Sequence, residues 1–153
     1  MSFKSTKQSY RVIKTYGNER GLSCAFRQWR ATSHCNLIHG YSLGFRITFE
    51  AQTLDDRKWV IDFGDLGFIK DFLEENFDHI LLVAEDDPRM ADLLNLDGIA
   101  EIRTLPVTGC EAFAEYVFQY VSQEVNEQSD GRVRLVSVEC FEHGANSALF
   151  GDF

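Results

Sequence analysis

The chain has 153 residues, of which 44% are hydrophobic, so it has the size of one domain and enough apolar side chains for a substantial core. Its formal net charge of -9 argues against nucleic acid or an anionic membrane as a partner, because binding to phosphate groups depends on clustered Lys and Arg. We therefore predict a single domain over residues 1–153 that binds neither nucleic acid nor a membrane.

The amino terminus and the cysteines indicate a cytoplasmic protein. Residues 1–14 mix basic and polar side chains without an apolar run, which argues against a signal peptide or a membrane span there. The cysteines show no Cys-x-x-Cys spacing, which disfavours a disulfide framework and a zinc finger; they are Cys24, Cys35, Cys110 and Cys140. We predict a core position for Cys24, since free cysteines are most often buried.

The first half of the chain has the alternation of β-strands. Leu22, Cys24 and Phe26 fall on one side of a strand, and the run that begins at His39 alternates in the same way. The predicted strands span residues 9–16, 22–30, 39–52 and 58–63. The last of them is expected to return antiparallel to the third, after a turn at residues 54–56.

The second half combines two amphipathic helices with further strands. Apolar residues recur at helical spacing over residues 66–76, after an Asp65 N-cap, and again over residues 110–125. The remaining predicted elements are a solvated acidic turn at 85–88, one or two helical turns at 90–96, and strands at 102–105 and 132–140. Neither side of the last strand is purely apolar, so the pattern leaves its core face open. This order predicts an α+β fold, an antiparallel sheet with two helices packed on one face.

The segment from His34 to Ser42 contains the residues best suited to chemistry. Cys35 precedes His39 by four positions, and His39 and Tyr41 point to the same side of a strand. A thiol near an imidazole and a phenol is the composition of a reactive site, and also that of a well-filled core. The residues alone leave both interpretations open.

Five motifs follow one another along the chain. They are Cys-Asn-Leu-Ile-His-Gly-Tyr at 35–41, Val-Ile-Asp-Phe-Gly-Asp-Leu at 60–66, Asp78-His79, Asp87-Pro88, and Glu111 at the start of the second long helix. Together they resemble the 6-pyruvoyl-tetrahydropterin synthase and 6-carboxy-tetrahydropterin synthase family, over nearly the whole chain. Because all five occur in the family's order, the resemblance is much more specific than any single motif.

This resemblance implies the tunnelling fold, in which antiparallel sheets from several subunits join into a barrel and a pterin-like substrate binds between neighbours. It implies a lyase that acts on a dihydroneopterin triphosphate-like substrate by triphosphate elimination or by side-chain rearrangement or cleavage, in tetrahydropterin or queuosine biosynthesis. It also implies a homo-oligomer, a trimer, tetramer or hexamer, in which open sheet edges are paired.

The resemblance assigns site residues as well. It implies a Cys general base beside an Asp-His pair, namely Cys35, Asp78 and His79, and a carboxylate that holds the pterin ring, namely Glu111 with Glu139 as a second candidate. A thiolate can abstract a proton, and a carboxylate can accept two hydrogen bonds from an aminopyrimidine. The same residues have structural explanations, because Asp78 and His79 suit the end of a helix and Glu111 suits the first turn of one.

The metal site is where the chain departs from the family. The family binds zinc through three histidines, and the matching positions here are Phe26, His39 and Tyr41, of which only His39 is a usual zinc ligand. We predict that zinc is weakly bound or absent, with a rearranged set of His34, His39 and His143 as the alternative. Two other hypotheses follow from the departure: a non-catalytic pterin- or purine-binding oligomer, and a metal-independent pterin enzyme with Tyr41 as its acid-base group.

Overall fold

The computed structural model describes residues 7–153, so the expectations for residues 1–6 lie outside the described residues. The strands are β1 (Tyr10–Tyr16), β2 (Leu22–Phe26), β3 (His39–Ala51), β4 (Ile80–Ala84), β5 (Glu101–Leu105), β6 (Val133–His143) and β7 (Asn146–Gly151). The α-helices are α1 (Gly67–Phe77), α2 (Met90–Leu94) and α3 (Cys110–Gln128). Among residues 7–153, the helices lack the length and apolar composition of a membrane-spanning segment.

The strands form one sheet around β3, in the order β5-β4-β2-β3-β6-β7, with β1 also paired to β3. β1 pairs antiparallel with the second half of β3, and β2 pairs antiparallel with its first half. β4 and β5 extend the sheet in parallel, and every side chain of β4 is buried, as expected for a parallel strand covered on both faces. The predicted α+β class is confirmed, with an antiparallel centre and a parallel edge.

The return strand predicted over residues 58–63 is wrong. Residues 45–51 of β3 pair with β1 along one edge and with β6 along the other, so no edge remains for a further strand. The segment begins instead with a turn closed by Asp55, whose Oδ1 accepts hydrogen bonds from the backbone N–H groups of Arg57 (2.8 Å) and Trp59 (3.0 Å). Lys58 has a left-handed φ of 68° inside this turn, which is incompatible with a strand.

A β-bulge in β6 explains why neither side of this strand is purely apolar. Phe49 pairs with Leu135 but Thr48 pairs with Ser137, which leaves Val136 as an extra residue on β6. The core-facing set therefore changes phase at the bulge, and consists of Val133 and Leu135 before it and Val138 and Cys140 after it. β6 is longer than predicted and turns into β7, a strand that the sequence pattern did not predict.

Helices α1 and α3 lie side by side on one face of the sheet, which confirms the predicted packing. Phe72 of α1 stacks on Tyr120 of α3 with ring centroids 4.0 Å apart. The helices and the sheet share one core, whose largest fully buried side chains are Phe45, Phe49, Phe77 and Phe113. This core lies directly beneath the segment that carries the candidate site.

The predicted N-cap of α1, Asp65, is wrong. Asp65 lies within a 3₁₀ turn, Phe63–Leu66, and the cap of that turn is Asp62, whose Oδ1 accepts from the backbone N–H of Gly64 (2.8 Å). Because the turn runs directly into α1, the side-chain cap is needed one turn earlier than the helical spacing indicates.

The opposite face of β4 is covered by α2, which confirms the predicted short helix. Leu93 of α2 packs with Leu81 and Val83 of β4 in a second, smaller core. The turn between β4 and α2 was predicted to be solvated, and for Asp87 this is wrong. Its side chain is only 1% exposed and lies 3.1 Å from the guanidinium of Arg27, because a buried carboxylate needs a compensating charge.

Candidate active site

A cleft of about 390 Å³ opens where β2 and β3 meet the start of α3. His39 at the start of β3, Cys35 in the preceding loop and Glu111 in the first turn of α3 all line it, together with Tyr41 and Glu142. His39 and Tyr41 point into it because alternate side chains of β3 share the face on which α3 packs. Four of the residues that the sequence singled out, Cys35, His39, Tyr41 and Glu111, therefore lie around one cavity.

The loop before β3 presents Cys35 in a short 3₁₀ turn, His34–Asn36. The backbone N–H of Cys35 is 3.4 Å from the Ser33 hydroxyl that caps this turn, and its carbonyl accepts a hydrogen bond of 3.0 Å from the backbone N–H of Gln28. The side chain is neither buried nor fully exposed. Cys35 is thus a fixed thiol at the mouth of the cleft, where a substrate atom can reach it.

The other three cysteines are buried, and none of the four is in a disulfide. Burial, followed by the proximity of Cys110, raises the pKa of Cys24 to about 12, and burial also raises the pKa of Cys140 well above its usual value. Both therefore remain thiols at neutral pH, which makes them poor nucleophiles. The core position predicted for Cys24 is confirmed.

Three aromatic rings meet at the positions that the sequence resemblance assigned to zinc ligands, Phe26, His39 and Tyr41. The ring centroid of His39 lies 5.4 Å from that of Phe26 and 5.3 Å from that of Tyr41. Phe26 is buried and packs edge-on against Phe113 of α3, so it is part of the core wall. A phenyl ring has no lone pair to donate, so this set does not fit a three-histidine zinc site.

The remaining histidines do not complete another ligand set. Across residues 7–153, no three His, Cys, Asp or Glu side chains lie close enough to share a metal ion, so His34, His39 and His143 are not assembled as one. His39 Nδ1 is 2.7 Å from the carbonyl oxygen of Leu37, which fits donation of its N–H and leaves Nε2 free. His143 is engaged locally, because its Nδ1 accepts from the backbone N–H of Ala145.

Tyr41 is the polar side chain beside His39 in the cleft. Partial burial, followed by the negative charges of Glu142 and of a Cys35 thiolate, raises the pKa of its phenol. A raised pKa keeps the phenol protonated throughout the physiological range, so Tyr41 is a hydrogen-bond donor in the cleft.

The carboxylate of Glu111 lies beside Gly109 at the start of α3. Gly109 has a φ of 125°, and a Cβ at this position would lie 3.4 Å from Glu111 Oε2 and 3.7 Å from Gln28 Nε2. Glycine is the residue that adopts this φ without strain. Glu111 is exposed toward the cleft, as an open ligand-binding carboxylate must be.

Glu142 is a cleft residue that the sequence reasoning missed. It lies near the end of β6, beyond the predicted end of that strand, and its Oε1 is 3.9 Å from the Cys110 thiol. Alternation from core-facing Val138 and Cys140 places Glu142 on the same face. That signal was present in the sequence, but it required extending the strand by two residues.

Glu139 lies on the other face of the sheet. Its Oε1 is 2.9 Å from the guanidinium of Arg46, its cross-strand neighbour on β3. The phase change at the bulge turns Glu139 away from the helices, and it does not line the cleft that contains Cys35. Its predicted role as a ring anchor is therefore separate from that of Glu111.

Asp78 and His79 form a pair, but away from Cys35. Their side chains are 2.7 Å apart, and the His79 side chain is 85% exposed. His79 has a left-handed φ of 59°, held by a 2.6 Å hydrogen bond from its N–H to the Ser23 carbonyl. It lines a depression with Ala25 and Leu81, on the sheet face that carries α2. One chain therefore does not bring this pair to its own cleft.

The left-handed backbone conformation of His79 lowers the stability of the fold by about 1–2 kcal/mol, and contacts of the surrounding structure must offset this cost. Asp78 is also the C-cap of α1, and its N–H bonds to the Glu74 carbonyl. The helix-end position anticipated for this dipeptide is thus observed together with an exposed, hydrogen-bonded acid-imidazole pair.

Comparison with known sequences gives one family. The model described as 6-pyruvoyl tetrahydropterin synthase matches residues 17–151. A 6-carboxy-5,6,7,8-tetrahydropterin synthase from Aquifex aeolicus is 24% identical and aligns with 97% of this chain and 92% of its own length. A protein of the same name from Rickettsia felis is 37% identical over a shorter segment, 37% of this chain and 41% of its own length.

Solved structures share the fold. An uncharacterized protein from Wolinella succinogenes superposes with a TM-score of 0.81 at 18% identity, over 95% of this chain and 99% of that one. The 6-pyruvoyl tetrahydropterin synthase of Plasmodium falciparum superposes with a TM-score of 0.69 at 14% identity, over 95% and 98% of the two chains. At these identities the structural likeness concerns the fold alone.

Proposed function

The chain belongs to the 6-pyruvoyl tetrahydropterin synthase family, and from this premise we propose that it is a pterin-pathway lyase acting on a dihydroneopterin triphosphate-like substrate. The 6-carboxy type of reaction is favoured, because the Aquifex aeolicus relative of that name aligns along nearly the whole chain. The observation that carries the proposal is one cleft in which Cys35, His39 and Glu111 lie together. The unpaired cysteines support the predicted cytoplasmic location.

In the proposed reaction, Cys35 removes a proton from the side chain of the bound substrate. Its partial exposure at the cleft mouth gives it access to a substrate atom, unlike buried Cys24 and Cys140. Tyr41 lies in the same cleft with its phenol protonated, so it is placed to return a proton. No step is assigned to zinc, because Phe26 and Tyr41 do not supply the family's ligands.

We assign binding of the substrate's pterin ring to the carboxylates of the cleft. A pterin presents an amino group and an adjacent ring N–H, and one carboxylate can accept hydrogen bonds from both. Glu111 is the proposed ring anchor because its side chain is exposed and lines the cleft. Glu142 supplies a second carboxylate in the same cavity.

We assign Asp78 and His79 to the cleft of a neighbouring subunit, and therefore predict a homo-oligomer, a trimer, tetramer or hexamer. His79 lines a depression on the sheet face opposite the cleft, and Asp78 lines a separate depression beside α1, so neither residue lies in the cleft of its own chain. Light scattering at micromolar concentration is expected to give a mass at least three times that of the chain. A monomer at all concentrations up to 100-fold higher would remove Asp78 and His79 from the proposed site.

The proposal is tested by incubating metal-analysed protein with dihydroneopterin triphosphate and identifying products by mass. We expect substrate-dependent product formation that persists after mild chelation, with well under one zinc per chain. The physical reason is that His39 alone among the three matching positions is a usual ligand. Absence of any product would contradict the proposed function. Stoichiometric zinc that is lost in His39→Ala would contradict the metal assignment alone.

A further inference from the structure

The turn between β4 and α2 contacts the segment that leads from β2 to Cys35. Within that turn, Asp87 Oδ2 lies 3.1 Å from Arg27 Nε. The two atoms are buried, are not aligned as a hydrogen bond, and have no other hydrogen-bond partner among residues 7–153. The Asp87 side chain is 1% exposed and that of Arg27 is 21% exposed, so it is chiefly Asp87 that is buried. Its other oxygen, Oδ1, accepts a hydrogen bond of 2.8 Å from the backbone N–H of Arg89, and its negative charge is compensated by Arg27. Loss of Arg27 would therefore leave a buried carboxylate without its cation.

Arg27 is connected to Cys35 through the next residue, Gln28. The backbone N–H of Gln28 donates to the carbonyl of Cys35 at 3.0 Å. A second anchor holds the same two residues, because the Thr108 hydroxyl donates to the Arg27 carbonyl at 2.8 Å and the Gln28 side-chain amide donates to the Thr108 carbonyl at 3.0 Å. Arg27 and Gln28 are thus fixed by Asp87 and by Thr108, and the Cys35 carbonyl is hydrogen-bonded to Gln28.

These contacts also explain why β2 ends at Phe26, four residues before its predicted end at Arg30. The Arg27 carbonyl is taken by Thr108 instead of a neighbouring strand. Arg27 itself is drawn toward Asp87 at the end of β4, which is adjacent to β2 in the sheet. The chain therefore leaves the sheet at the point from which it can loop back to the cleft.

We propose that Asp87 is a positioning residue for Cys35. Through its ion pair with Arg27, it fixes the short segment whose backbone holds the Cys35 carbonyl, and thereby sets where the thiol lies in the cleft. Asp87 does not line the cleft, so it acts only through Arg27 and Gln28. The inference rests on the proposed role of Cys35 as the proton-abstracting group.

The test compares Asp87→Asn, which keeps the shape but removes the charge, with the conservative Asp87→Glu. The first readout is the rate of Cys35 alkylation by iodoacetamide between pH 6 and 10, quantified on the Cys35 peptide by mass spectrometry. The second is kcat and KM with dihydroneopterin triphosphate. For Asp87→Asn we expect a change of about tenfold in alkylation rate and a similar fall in kcat, with KM within about twofold, because a displaced base impairs the reaction more than binding. Asp87→Glu should recover most of both.

Glu85→Gln is the matched control, because it removes one negative charge from the same turn and its side chain is exposed. It should behave as wild type in both readouts. If Asp87→Asn does not fold, Thr108→Val takes its place, since it removes the hydrogen bond to the Arg27 carbonyl and keeps the side-chain shape; it should change the Cys35 rate in the same way.

An unchanged alkylation profile and kcat in a folded Asp87→Asn, or in its Thr108→Val replacement, would overturn the inference. The alkylation readout does not depend on catalysis. If wild-type protein does not turn over the substrate, the proposed function fails, while the Cys35 profile still decides the positioning role.

Discussion

Replacing Cys35 by alanine is expected to lower the turnover of dihydroneopterin triphosphate by about 10³-fold, within the range that a positioned general base contributes. The fold should be retained, because Cys35 lies in a 3₁₀ turn at the cleft mouth and not in the core. The measurement is kcat by product mass, with circular dichroism and light scattering to verify the fold and the assembly. Full activity in Cys35→Ala would remove the proposed mechanism from consideration.

Cys24→Ala is the matched control, because it removes a buried thiol of the core and not the partly exposed thiol of the cleft. Cys24 is 4% exposed within the core, and its pKa of about 12 keeps it uncharged at neutral pH. Its removal leaves a small cavity, so the free energy of unfolding should fall by about 1–2 kcal/mol while kcat stays near that of wild type. Cys24→Ala should therefore lose stability and keep activity, whereas Cys35→Ala should keep stability and lose activity. This contrast separates the structural thiol from the catalytic one.

The exchange of Glu111 for glutamine is expected to weaken binding of neopterin or a purine analogue by about 10²-fold. A carboxylate that accepts two hydrogen bonds from a ring contributes about 3–5 kcal/mol when water is excluded. The amide keeps the shape of the side chain but places a donor opposite a donor. Titration calorimetry with a neutral ring compound measures this without requiring turnover.

Two further glutamine variants locate the ring. Glu142→Gln changes the second carboxylate of the same cleft and should also weaken binding. Glu139→Gln alters a carboxylate that pairs with Arg46 on the other sheet face, and should leave binding unchanged. If only Glu139→Gln impairs binding, the ring lies on that other face, and if none of the three variants does, the assignment of a pterin ring to this protein fails.

Part of the candidate site was accessible from sequence because local geometry determines it. Alternation along a strand is sufficient to place His39 and Tyr41 on one side, and a helix that starts at residue 110 places Glu111 in its first turn. Glu142 obeys the same rule, but it lies two residues past the predicted end of β6, so the prediction did not reach it. The bulge at Val136 is a different case, because it depends on the register with the neighbouring strand and the pattern of β6 alone did not locate it.

The sequence by itself determined the α+β class, the two long helices, the central strand and the convergence of Cys35 with His39, since periodicity and turn signals act between near neighbours. Only the tertiary structure decided which strand edges were already occupied, and the occupied edges of β3 excluded a strand at 58–63. It also decided that Asp78 and His79 lie outside the cleft that contains Cys35, and that Asp87 is buried. An acidic turn is solvated unless a cation from elsewhere compensates it, and Arg27 does so from a distant part of the chain. Edge pairing and charge compensation are properties of partners that folding brings together, and no local pattern encodes them.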